Sequence, residues 1–154
     1  MTIQPAIDAA LATDYAEDGL IHLRPLFEKG KAAEVKSALF HFLEEGDSAD
    51  TKHHVLDLFY FLYGTGSTGV SGEFGDTREE MVRPPSFDSR DFIRLMRAAM
   101  REFDPEVLGN YASLVDCISD RRDATNDATR VLLATCIAHM CEHGDADARR
   151  RFGW

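Results

Sequence analysis

Cysteine is scarce and odd in number. Cys117, Cys136 and Cys141 cannot all pair within one chain, which argues against a disulfide framework and for a reducing compartment. Long apolar runs are lacking too. No stretch approaches the roughly 20 apolar residues that span a bilayer. The start, MTIQPAIDAALATDYAEDG, has no basic region leading into an apolar core. Neither a membrane span nor a signal peptide is therefore expected, and the cytoplasm is the expected location. Basic charge is in deficit: 17 Lys and Arg stand against 27 Asp and Glu, a formal −10. Residues 1–80 carry a net −9 of this and residues 81–154 only −1. Such a field repels nucleic acid and anionic membrane and attracts basic surfaces, although acidity also serves plain solubility. Arg149, Arg150 and Arg151 form a small basic cluster at the end.

What is present is apolar substance for a core, 44% of 154 residues, a size that fits a single domain over 1–154 with no need of staples. Helical periodicity recurs and strand-like alternation is rare. A first helix is expected over 4–16, with Ile7, Leu11 and Tyr15 on one face and Pro5 tolerated in its first turn. Gly19 is read as an interruption, followed by a short helix with Leu20, Leu23 and Phe27 that Gly30 closes. A third helix over 32–45 aligns Val35, Leu39, Phe42 and Leu43 and ends at Gly46. Ser48 or Asp50 is placed to cap a fourth. That fourth segment contains VLDLFYFLY, apolar on nearly every face; it reads as a central helix, with a buried strand as the alternative.

Beyond a long loop, Asp88 or Ser89 opens a helix aligning Phe92, Met96, Ala99, Met100 and Phe103. Asp104-Pro105 marks the next start, an N-cap followed by proline at the first helical position. A last long helix sets Ala128, Leu132, Cys136 and Met140 at four-residue spacing, Gly144 stops it, and Asp145 caps a final turn with Phe152 and Trp154. The expected fold is all-α: about seven helices in stacked antiparallel hairpins, HEAT-like or as an irregular bundle.

Motifs for chemistry are weak. Gly64, Gly66 and Gly69 spell G-x-G-x-x-G, but the dinucleotide fingerprint needs a strand before it and a helix opening within it. Here a helix precedes and loop-like sequence follows, and no Lys-Ser or Lys-Thr supplies a P-loop, so no cofactor is expected. Cys136, His139 and His143 share one face of the last helix at spacings of three and four, as helical metal ligands do, with His53 or His54 as a possible fourth. The simpler reading packs Cys136 as a small apolar group and sets the histidines where the helix dipole favours positive charge. No metal ligand is assigned. The adjacent carboxylates Glu44-Glu45 and Glu79-Glu80 diverge on a helix rather than meet on a substrate. No nucleophile turn is found, and no catalytic residue is assigned.

Segment 64–86 is the most informative. It holds five glycines and mixes Phe74, Met81 and Val82 with Glu73, Asp76, Glu79 and Glu80. Structureless connections beyond about 12–15 residues are uncommon inside compact domains. A glycine-flanked loop with an aromatic anchor and carboxylates suits capture of a partner protein; a linker or short hairpin is the alternative. Acidic side chains also gather at two helix junctions, Asp14, Glu17 and Asp18, then Glu44, Glu45, Asp47 and Asp50. Stacked hairpins would align these junctions at one end as a negative rim. The partner-binding residues expected are Glu44, Glu45, Asp47, Asp50, Glu73, Phe74, Asp76, Glu79 and Glu80.

The segment GKAAEVKSALFHFLEEGDSADTKHHVLDLFYFLYG resembles HEAT-like immunity proteins that neutralise bacterial polymorphic toxins. In kind it is also similar to small acidic anti-CRISPR proteins, which act as nucleic-acid mimics. The resemblance implies tight binding to one basic partner enzyme, a nucleic-acid-acting toxin or effector, with no catalysis by the inhibitor. Readings of other classes are a small helical metal-binding protein or enzyme using Cys136, His139 and His143, and a helical adaptor.

Overall fold

The computed structural model describes residues 2–63, 87–119 and 127–153. Among them are eight α-helices and no strand, so the class is all-α, as the periodicity predicts. The chain divides into two compact units, Met1–Ser86 and Phe87–Trp154.

In the first unit α1 (Gln4–Leu11), α2 (Ala16–Glu28), α3 (Ala32–Glu45) and α4 (Ala49–Tyr63) surround one apolar core. VLDLFYFLY is helical throughout, and α4 packs against all three other helices. Its Val55, Leu56, Leu58, Phe59 and Leu62 are buried, and Phe59 meets Phe40 of α3 edge-on at 4.9 Å. The helix ends obey local chemistry. The Ser48 hydroxyl oxygen accepts from the Thr51 N–H at 3.2 Å and caps α4. Gly30 closes α2 at φ 77°, while the N–H of Lys31 reaches back to the Leu26 carbonyl at 2.9 Å, a Schellman arrangement that satisfies a free helix-end carbonyl.

Two expectations change here. The first helix stops at Leu11 rather than near residue 16, and Tyr15 is the extended N-cap of α2. Gly19 does not interrupt; it lies buried within α2. A Cβ built on it would sit 2.7 Å from the carbonyl oxygen of Ala10, so glycine there permits the close approach of α1 and α2. The same carbonyl is one of the helix-end acceptors that α1 cannot satisfy internally. The Nε2–H of His54 donates to it at 3.0 Å and lies 3.3 Å from the Thr13 hydroxyl. The hydroxyl is itself 2.8 Å from the same oxygen.

The second unit holds α5 (Ser89–Met100), α6 (Pro105–Ser119), α7 (Asp127–His143) and α8 (Ala146–Arg151). Asp88 and Asp91 form a reciprocal capping box at the start of α5. Asp104 Oδ1 accepts from the N–H groups of Glu106 and Val107 at 3.0 and 3.2 Å, with Pro105 at the first helical position, as the dipeptide predicts. Helix α5 ends at Met100, so Phe103 falls beyond it and is 62% exposed instead of joining the buried stripe. On α7, Cys136 and Met140 are buried as expected, but Ala128 is exposed and Leu132 half-buried.

Helix α8 depends on a glycine. Asp145 caps it by accepting from the Ala148 N–H at 3.0 Å, and a Cβ on Gly109 of α6 would lie 2.5 Å from the Asp145 carboxylate. Gly109→Ala is expected to push Asp145 off its N–H partner and cost about 1 kcal/mol, the usual value of such a cap. The Cys141 thiol, packed 3.9 Å from the Ala148 carbonyl, should then react faster with a thiol reagent; an unchanged rate would show that α8 stays docked.

Candidate functional site

The acidic junctions of the first unit lie at one end of it. His54 sits one turn after Asp50 on α4, about 6 Å along the axis, and His54 is bonded to the α1–α2 corner through Ala10 and Thr13. The corner bearing Asp14, Glu17 and Asp18 is thereby held beside the junction bearing Glu44, Glu45, Asp47 and Asp50. Asp14, Asp18, Glu45, Asp47 and Asp50 are exposed, and Glu17 and Glu44 half-buried. Asp14, Glu17, Asp18, Glu45, Asp47 and Asp50 make no ion pair among the described residues. Lys29 and Lys31 stand at the far end of α2, roughly 20 Å away by helix length, while Lys52 and His53 lie half-buried in the first turns of α4.

The helix dipoles divide these carboxylates into two kinds. Glu17, Asp18 and Asp50 occupy first turns, where the positive end of the helix favours them. Glu44 and Glu45 occupy the last turn of α3, which carries no basic residue, so the dipole opposes them.

One contributor was misread in the sequence. Tyr15, assigned there to the apolar face of α1, is 67% exposed between Asp14 and Glu17. An exposed tyrosine amid carboxylates is the residue type that anchors protein interfaces. The signal available in sequence was Thr13-Asp14, a turn-forming pair that ends α1 early. Glu73, Phe74, Asp76, Glu79 and Glu80, with the glycine string that starts at Gly64, lie outside the described residues. The chain entering that string is helix α4, not the strand that a dinucleotide fingerprint requires.

The structure does not bring Cys136 into a cluster with the two histidines. Its Sγ is buried and directed at the Met96 carbonyl, 3.8 Å away. Among the described residues no group of three or more His, Cys, Asp or Glu converges as a metal cage. His54, one suggested fourth ligand, lies in the first unit, where its Nε2–H donates to the Ala10 carbonyl. Burial pushes the Cys136 thiol up to about 12 from 9.0. With the folded-state value raised, the unfolded chain loses this proton first as pH rises above 9. The stability that the neutral thiol contributes is therefore full below pH 9 and falls between 9 and about 12. In chemical denaturation the stability gap between wild type and Cys136→Ala should narrow across that window; a constant gap would contradict the assignment.

The C-terminal arginines serve the fold. Arg149 Nη1 donates to the carbonyls of Gly144 and Cys141 at 3.1 and 3.4 Å, Arg150 pairs with Asp147, and Arg151 lies 3.5 Å from Asp116. No helix among the described residues is long and apolar enough to cross a membrane. No protein family, curated protein or solved structure matches the chain.

Proposed function

We propose that this protein is a non-catalytic inhibitor that docks its acidic end on a basic partner enzyme, most simply as a toxin-neutralising immunity protein in the cytoplasm. The observation that supports this reading is the His54 contact with Ala10 and Thr13, which ties the α1–α2 corner, with its exposed Tyr15, to the helix that begins at the α3–α4 junction. Carboxylates held on a helical end steer a cationic surface into contact, and an exposed tyrosine supplies buried area once water is excluded. The target chemistry that fits is a surface that otherwise holds phosphates, that of a nucleic-acid-acting enzyme. The carboxylates would then compete with its nucleic acid. Glu73, Asp76, Glu79 and Glu80, with Phe74, are assigned to the same partner.

The test is capture and inhibition. The full chain, immobilised in a lysate of its source cells, should retain a basic protein that high salt releases. Adding the free chain in equimolar amount should abolish that protein's activity on nucleic acid. Retention of a partner whose activity is untouched would make the chain an adaptor and end the inhibitor reading.

A further inference from the structure

We propose that His139 and His143 hold a divalent first-row transition-metal ion, copper(II) most tightly, through one ring nitrogen each. The two side chains are one turn apart on α7, and their ring centroids lie 4.8 Å apart. That spacing is compatible with a shared ion. A metal–nitrogen bond of about 2.0–2.1 Å puts the ion about 3.2 Å from each ring centre, so ligand angles of about 90–109° place the centres roughly 4.5–5.2 Å apart.

The proton positions agree. His139 Nε2 lies 2.7 Å from the Glu102 carbonyl oxygen, a partner that can only accept, so Nε2 carries the hydrogen and Nδ1 keeps the lone pair. Ligating histidines characteristically donate their other N–H to such a carbonyl, which fixes tautomer and orientation. Phe103 meets both imidazoles edge-on, its centroid 5.1 Å from each. It restrains both rotamers before any ion arrives, and His143 is exposed, so the ion has access. The Glu102 side chain is engaged elsewhere, accepting from the N–H groups of Phe103 and Asp104, and so holds the turn that carries Phe103. Imidazole suits copper, nickel and zinc, and copper(II) heads the affinity order. Two protein ligands leave the other positions to water or to a side chain from another molecule.

Titration of the full-length chain with copper(II), followed by calorimetry and electron paramagnetic resonance, tests this. The expected result is a single ion bound with micromolar affinity and hyperfine structure from two imidazole nitrogens. His143→Ala, at an exposed position, should keep the helical spectrum and melting temperature of the metal-free protein while weakening copper at least about tenfold. His22→Ala and His41→Ala should bind as wild type. Equal copper affinity in wild type and His143→Ala, or a signal without two imidazole nitrogens, would overturn the proposal. Should His139→Ala fail to fold after losing its bond to Glu102, His143→Ala decides alone. None of these outcomes bears on the acidic end of the other unit.

Discussion

Gly19→Ala lowers the stability of the first helical unit, although helix propensity taken alone predicts the opposite. Exchanging a glycine for alanine inside a helix ordinarily gains up to about 1 kcal/mol. Here the added methyl would stand 2.7 Å from the Ala10 carbonyl oxygen, and that atom is backbone, unable to swing aside. Helices α1 and α2 must separate, at a cost typical of overpacking, about 1–3 kcal/mol. The net expected loss is up to about 2 kcal/mol, readable as a lower midpoint in thermal or urea unfolding. His54→Ala should cost about 1 kcal/mol by removing the hydrogen bond to the same oxygen. Because both substitutions act on one carbonyl, their effects should not add: once α1 has shifted, the His54 bond is already lost. A higher midpoint for Gly19→Ala would mean that the helices part without penalty and that Ala10 is not the pin of the unit.

The second large effect concerns binding. Changing Glu45, Asp47 and Asp50 together to lysine reverses three exposed charges at the α3–α4 junction. The association rate with a basic partner should fall about tenfold or more at low salt, because steering depends on the summed field. The difference should shrink as salt rises. Glu45→Lys alone carries a sharper signature. It places a cation in the last turn of α3, where the dipole favours it, and should stabilise the fold by about 0.3–1 kcal/mol. A substitution that strengthens the fold while weakening association marks a residue kept for contact rather than for stability. If Glu45→Lys left association unchanged, the acidic end would be ordinary solvated surface. Tyr15→Ala offers an uncharged check on the same end, since it should speed dissociation more than it slows association.

Much of the fold was legible residue by residue. Asp88, Asp104-Pro105, Ser48, Gly30 and Asp145 mark helix ends in the sequence, and each acts there in the structure. Capping is chemistry between a side chain and backbone two or three positions away, so the sequence carries it whole. Where the reading slipped, a turn or a distant contact outweighed the pattern. Tyr15 and Phe103 continue apolar stripes on paper, yet Thr13 and the Glu102 turn end the helices before those residues are reached. Leu132 and Ala128 keep the right spacing, but periodicity reports a face and not whether anything covers it. Cys136 shares a helical face with His139 and His143, and its burial against Met96, forty residues earlier, removes it from their company.

The sequence by itself determined the all-α class, most helix termini and the concentration of negative charge in the first half, because propensity, capping and charge are local quantities. Only the tertiary structure decided that Gly19 is a contact point rather than a break. It alone decided that His54 ties the two acidic junctions together and that the C-terminal arginines are spent on carbonyls and carboxylates. The His54 contacts join groups 41 and 44 residues apart in the chain. A close approach of that kind leaves no periodic trace, since it is set by how helices pack and not by what each helix is made of.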